Sequence, residues 1–199
     1  MLKEQVKAYI KKAEEHNREC IVLYEEEKRY AAEHGLIPEG LAVKEGKQDE
    51  RFASAYLERG DKETENFISE ETSDFLNQPI SYFKEHKEEF LYAESSWFDC
   101  IGIDGLSFEE DDVFKTYNVM TGLKLPKKCH SSITQFLDSS LKGEIPLYSL
   151  MFSQNDGLWE LNFTLDYVDG FREEMNIREA FELIYGFLFT LGKTVEGNQ

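Results

Sequence analysis

Positive charge is the scarcest property of this chain: 22 Lys plus Arg stand against 40 Asp plus Glu, a formal net charge of -18 at pH 7 over 199 residues. The excess is spread out, with 24 acids and 14 bases in residues 1–100 and 16 and 8 in residues 101–199. A surface this negative repels phosphate backbones and anionic lipid, so neither direct nucleic-acid binding nor membrane binding is expected. The nearest approach to a cationic patch is LKLPKKCH, with Lys124, Lys127 and Lys128, and three lysines in one loop read as ordinary solvated charges.

Cysteine is nearly as sparse. Cys20, Cys100 and Cys129 are odd in number and share no repeating spacing, which argues against a disulfide framework and for a reducing compartment. Long apolar runs are missing too. The start, MLKEQVKAYIKK, lacks the pattern of a secretory leader, and the apolar segment Ala180 to Gly192 is short and interrupted by Glu182 and Thr190. A soluble, cytoplasmic protein is expected.

The short catalytic signatures are absent: no GxxxxGK(S/T), no GxGxxG after a strand, no HExxH and no GxSxG. Metal-ligand spacing is little better. His16 and Cys20 would share a face on a continuous helix, and Cys129 adjoins His130, but nothing in the sequence joins the two pairs. A calcium loop needs oxygen ligands at positions one, three and five before its glycine, and the registers set by Gly105 or Gly157 place Cys100 and Gly102, or Phe152 and Gln154, at the first and third. No metal and no cofactor is expected.

Hydrophobic residues make up 41%, including ten Tyr and fifteen Phe, enough for a folded core, and the length suits a single domain over residues 1–199. The first 35 residues read as helix, with a break near His16 and Asn17. Further helices are expected over about 47–57, from Asp61 through Phe67, Ile68, Phe75 and Leu76, and from Pro79 through Ile80, Phe83, Phe90 and Leu91. WFDCIGI, residues 97–103, reads as a strand. SFEE, with Ser107 three residues before Glu110, reads as a helix start, which would make the run Glu109 to Asp112 a favourable first turn. Ser132 opens another short helix.

The clearest pattern follows. IPLYSLMFSQ and LWELNFTLDYV flank Asn155, Asp156 and Gly157, residue types that accept positive backbone angles in a tight turn, so a hairpin is expected over about 145–168. On its second arm Trp159, Leu161, Phe163, Leu165 and Tyr167 point one way, and Glu160, Asn162, Thr164 and Asp166 the other. Glu160 and Asp166 would lie roughly 20 Å apart at the usual strand rise, too far for two carboxylates to act on one bond. The four polar residues are therefore expected to form a solvated or partner-facing sheet surface with no catalytic role. A final helix is capped by Asn176 with Glu179 three residues on. It is apolar around much of its circumference, and so is either a central helix or a seam between copies.

Together these readings predict an α+β fold: a helical N-terminal half and a small antiparallel sheet built around the hairpin, packed with the C-terminal helix. The expected function is that of a non-catalytic acidic interaction protein binding a basic macromolecular partner, as an inhibitor or immunity-type protein does, because charge complementarity speeds encounter and selects the partner. Two alternatives stand beside it: a homo-oligomeric small-molecule-binding or regulatory protein, and an enzyme with a carboxylate or Cys-His site.

Overall fold

The computed structural model describes residues 1–143 and 148–198. In chain order its elements are α1 (Leu2–His16), β1 (Cys20–Leu23), α2 (Glu25–Glu33), β2 (Ala42–Glu45), β3 (Tyr56–Asp61), β4 (Phe67–Glu71), α3 (Tyr82–Glu85), β5 (Glu89–Glu94), α4 (Ser96–Ile101), β6 (Ile103–Glu110), β7 (Tyr117–Leu123), α5 (His130–Ser140), β8 (Tyr148–Ser153), β9 (Leu158–Thr164) and α6 (Ile177–Gly197). The short β1 and β2 pair in parallel, while the other strands form one antiparallel sheet in the order β4-β3-β5-β6-β7-β9-β8. The class is α+β. Among the described residues no helix is long and apolar enough to cross a membrane.

The sheet is larger than the sequence pattern suggests, and the N-terminal half is less helical. The expected helices over 47–57, from Asp61 and from Pro79 give way to β3, β4 and β5, separated by short 3-10 turns and α3. The cause lies in pairing. Leu57 faces the core while Tyr56 and Glu58 face out, and Leu91 and Ala93 face in while Phe90, Tyr92 and Glu94 do not, a period of two that each strand realises only by bonding its neighbours. SFEE is likewise part of β6, with Glu109 opposite Asn118 of β7. WFDCIGI, expected as a strand, is mostly α4: the Ser95 hydroxyl accepts the Trp97 N–H at 3.3 Å, and Gly102 ends the helix at φ 74°.

Two connections share one chemistry. In the β3–β4 turn the Asp61 carboxylate accepts the Thr64 N–H, and the Glu65 N–H returns to the Asp61 carbonyl with Glu65 at φ 56°. In the β6–β7 turn Asp111 accepts from Phe114, and Lys115, at φ 59°, returns to the Asp111 carbonyl. The acidic run thus builds a strand end and a turn.

The C-terminal helix forms as expected. The Asn176 side chain accepts the Glu179 N–H at 2.8 Å and the Glu179 carboxylate accepts the Asn176 N–H at 2.9 Å. Ala180, Phe181, Ile184, Tyr185, Leu188, Leu191 and Val195 are buried, and so are Phe187 and Phe189 off the main stripe. Phe187 lies between Phe136 of α5 and Phe163 of β9 at 5.2 and 5.0 Å between ring centroids. The apolar circumference of α6 is therefore covered within the chain, as for a central helix packed on the inner sheet face.

The hairpin is β8 and β9, turning at Gly157 with φ 70°. Of its expected first arm, residues 145–147 lie outside the described residues. Its second arm is shorter than expected: β9 stops at Thr164, and residues 165–167 form a 3-10 turn.

Candidate functional site

Antiparallel pairing puts directly opposed residues on the same face, so the register defines what the uncovered side of the sheet displays. A central row runs Glu70, Glu58, Tyr92, Ser107, Met120, Asn162 and Ser149 across all seven strands. A neighbouring row brings Tyr56 opposite Glu94 and, on the far side, Gly122 opposite Glu160 opposite Met151. A third pairs Glu109, Asn118 and Thr164. Asp104, exposed at the start of β6, adds to the second row.

The charged strand positions on this face have one sign, and Lys62, just past the end of β3, lies near enough to Glu109 to oppose the burial that raises its pKa. Among the described strand residues, the outward positions carry Glu58, Glu70, Glu94, Asp104, Glu109 and Glu160 and neither lysine nor arginine. The inward side at the β3 edge holds both signs: Arg59 pairs with Glu71 at 2.7 Å and with Glu89 at 2.8 Å. Tyrosines edge the acids. The Tyr92 hydroxyl donates to Glu94 at 2.8 Å, and burial followed by that bond pushes its pKa up to about 12.

At the centre of the face lies a depression of about 440 Å³, bounded by Tyr92, Asp104, Met120, Asp156 and Glu160. Two glycines open it. A Cβ at Gly105 would come within 2.7 Å of the Tyr92 hydroxyl, and one at Gly122 within 2.6 Å of the Asp104 carboxylate. That carboxylate instead accepts the Gly122 N–H at 2.9 Å and its own neighbour Gly105 N–H at 2.9 Å.

Glu160, Asn162 and Thr164 thus share the face the sequence assigned to them. Asp166 does not. The 3-10 turn after Thr164 swings its carboxylate onto the backbone N–H of Tyr117 at 2.7 Å, where burial raises its pKa. It fastens the end of β9 to the start of β7.

A second group of acids lies away from this face, with Glu27 fully buried and Glu26 and Glu182 only partly exposed. Arg51 is buried, with Nη1 2.6 Å from Glu27, Nη2 2.7 Å from Glu26 and Nε 3.0 Å from Glu182, the last a close ion pair whose N–H is poorly aligned for a hydrogen bond. Its guanidinium is sandwiched by Tyr24 and Tyr185, 4.3 and 4.0 Å from the ring centroids. Glu27 also accepts the Tyr24 N–H at 3.0 Å at the start of α2, so one carboxylate both opens that helix and holds the arginine. The expectation that the negative groups act together as a surface fails for Glu27, Glu182 and the buried Glu110. Glu27 and Glu182 converge, with Glu26, on an arginine, which makes the cluster a clamp joining α2, the residue 48–51 segment and α6, whereas Glu110 stands apart, 4.0 Å from Lys115.

Glu182 gives the clamp a pH signature. Burial raises its pKa to about 7; Arg51 opposes the rise, and Glu26 and Glu27 add to it. The folded state therefore holds this proton more tightly than the unfolded chain. Its contribution to stability is fully present below about pH 4.5 and is lost as pH rises through about 7, a change on the order of 2 kcal/mol after allowing for partial exposure. The melting temperature is expected to rise between pH 8 and pH 5.5, and Glu182→Gln to flatten that rise. An unchanged slope in the variant would assign the effect to other groups.

The Cys-His candidates separate. His16 ends α1 and Cys20 begins β1, so they share no helix face. Cys129 is buried, while its neighbour His130 is exposed and stacks on Trp159 at 5.3 Å. Burial pushes the Cys100 thiol well above its usual range, and the Glu27 charge adds to this. Among the described residues no group of three or more His, Cys, Asp or Glu is arranged to hold a metal ion. Comparison with family models, curated proteins and solved structures finds no match for the chain.

Proposed function

We propose that this is a non-catalytic interaction protein of the cytoplasm, whose acidic sheet face engages a basic macromolecular partner in the manner of an inhibitor or immunity-type protein. One observation carries the reading: among the described residues the strand positions on the open face of the sheet carry carboxylates and no lysine or arginine, a segregation of sign. Solubility alone needs no segregation. The exposed side of α1 shows the mixed alternative, with Lys3, Lys7, Lys11 and Lys12 beside Glu4 and Glu15. Like charges placed opposite one another, as Glu58 and Glu70 are, cost stability, and a basic partner turns that cost into attraction. Tyr56, Tyr92 and Met120 among the acids supply apolar area of the kind that anchors interfaces. The central depression has room for one long cationic side chain.

The test is a pair of triple variants with equal change in net charge. Glu58→Lys, Glu94→Lys and Glu160→Lys alter the face; Glu15→Lys, Glu19→Lys and Glu39→Lys alter exposed sites outside the seven-stranded sheet. Basic proteins captured from the native host at low salt and released at high salt are expected to be lost by roughly tenfold or more with the first set and retained with the second. Equal loss from both sets would reduce the charge to a bulk property and remove the assigned surface.

A further inference from the structure

The two edges of the seven-stranded sheet are unlike. β4 is guarded: the pairing register shifts between Arg59 and Gly60, and Glu70 and Glu71 put a carboxylate on each side of the strand end. Such bulges and charges are how edge strands avoid pairing with other chains. β8 has none of these devices. Its sequence, YSLMFS, contains no charge, proline or glycine, its register with β9 runs unbroken from Tyr148 opposite Phe163 to Ser153 opposite Leu158, and among the described residues it pairs with β9 alone. One side of its backbone thus carries a row of N–H and C=O groups with no strand beside it among the described residues.

The side chains are apolar on both faces of this edge. Met151 points outward and is 64% exposed, and Tyr148, Leu150 and Phe152 point inward but are only partly buried against the core. The chain leading into it is poor in charge for so acidic a protein, with only Asp138, Lys142 and Glu144 from Ser131 to Ser153; in space its charged neighbours are Asp138 bonded to Tyr148, Asp156 bonded to Ser153, Glu160 opposite Met151 and Lys127 over Phe152.

We infer that β8 is the seam of a two-fold homodimer, in which a second copy adds its own β8 antiparallel and the two sheets continue as one. The strand is complementary to itself. With Leu150 opposite Leu150 of the second copy, Tyr148 meets Phe152 and Ser149 meets Met151, and every opposed pair lies on a common face. The half-buried inward trio then packs against its own image, which removes apolar surface from water.

Charge does not forbid it, despite -18 on each chain. Across the seam the row reads Glu160, Met151, then Ser149 and Asn162 of the second copy, so no carboxylate faces another. Glu160 and its copy are separated by three strand spacings, about 14 Å, and are offset along the strands as well, beyond a Debye length of about 8 Å at physiological salt. The α6 seam suggested by the sequence has no comparable claim, because that helix already spends its apolar residues within the chain. The inference stands apart from the basic-partner reading and requires only the purified protein.

Sedimentation equilibrium over a range of concentrations, with amide hydrogen exchange at the two ends of that range, tests it. The expected result is a reversible dimer in which the amides of residues 148–153 are protected more strongly at high concentration. Met151→Lys, at an exposed site that leaves the fold alone, is expected to weaken the dimer roughly tenfold or more, and Ile68→Lys on the opposite edge to leave it unchanged. A monomer at every concentration overturns the inference and leaves the edge to a foreign strand. So does a dimer in which the residue 148–153 amides exchange freely at all concentrations, which would place the seam elsewhere. The exchange measurement uses the unaltered chain, so it decides even if a variant misfolds.

Discussion

Arg51→Met is expected to remove about 3–5 kcal/mol of stability, a large share of the roughly 5–15 kcal/mol available to a domain. The magnitude comes from what stays behind. Glu27 has no exposed side-chain surface and Glu182 only 18%, so both carboxylates lose their counter-charge in a place water barely reaches. Tyr24 and Tyr185 lose the planar cation between them, and methionine fills that slot only in part. Part of the penalty is escaped by protonation, most readily at Glu182, whose pKa already stands near 7. The deficit should therefore be larger at pH 8 than at pH 5.5. A companion variant combining Arg51→Met with Glu27→Gln and Glu182→Gln removes the orphaned charges and is expected to recover a substantial fraction, because an intact buried ion cluster contributes far less than its disruption costs. Urea titration of both proteins at the two pH values measures this. A single-variant loss under about 1 kcal/mol would mean that water enters the site and that the clamp is electrostatically idle.

The parts of the fold that could be seen in the sequence are those whose signals are local. Asn176 and Glu179 cap α6 through bonds three residues apart, and the stripe from Ile177 onward repeats at helical spacing. The alternation of β9 is as clear, because one of its faces is wholly core: Trp159, Leu161 and Phe163 are buried. β3, β4 and β5 were hidden for the opposite reason. Their residues include Glu58, Glu70, Glu71, Glu89 and Glu94, a helix-favouring residue type, their apolar members fall at spacings that also fit a helix, and their strand identity comes from partners distant in the chain, as with Leu57 opposite Ala93. One local signal was there to be used. The paired Asp61 and Asp111 turns, each with an αL residue four positions on, mark two hairpins, and a search for Asp followed by polar residues between short alternating runs would have found both.

The candidate face was legible one strand at a time and no further. Glu160, Asn162 and Thr164 could be placed outward from β9 alone, but Glu70 lay in a segment that reads as helix and Glu58 and Glu94 just past the ends of two others, so their assembly on one surface depends on a register no periodicity reveals. Asp166 was misplaced because a strand pattern continues through Leu165 and Tyr167 even though the backbone has already turned. The Arg51 clamp had no sequence signal. Its members are Tyr24, Glu26, Glu27, Arg51, Glu182 and Tyr185, and the opening of α2 at Tyr24 uses a residue outside the usual capping set.

Phe181→Ala is expected to cost about 3–5 kcal/mol and to loosen the attachment of α6 to the inner sheet face. Phe181 is fully buried on the central helix, and its ring meets three others from different parts of the chain: Phe52 edge-on at 5.8 Å, Phe108 of β6 edge-on at 6.3 Å and Phe98 of α4 at 6.5 Å. Truncation leaves a void bordered by those aromatic faces. Their backbones belong to a sheet strand, a capped helix and the segment next to Arg51, none of which can slide inward without breaking its own hydrogen bonds, so the void should persist. Phe181→Leu keeps most of the volume and should cost roughly 1–2 kcal/mol, and the difference between the two variants isolates the cavity contribution. Because Phe52 follows Arg51 in the chain, loosening the ring cluster should also disturb the clamp, making the combined loss of Phe181→Ala and Arg51→Met smaller than the sum of the separate losses. Strict additivity in a double-mutant cycle would show that α6 is held by two independent attachments, and the physical coupling assigned to this junction would be wrong.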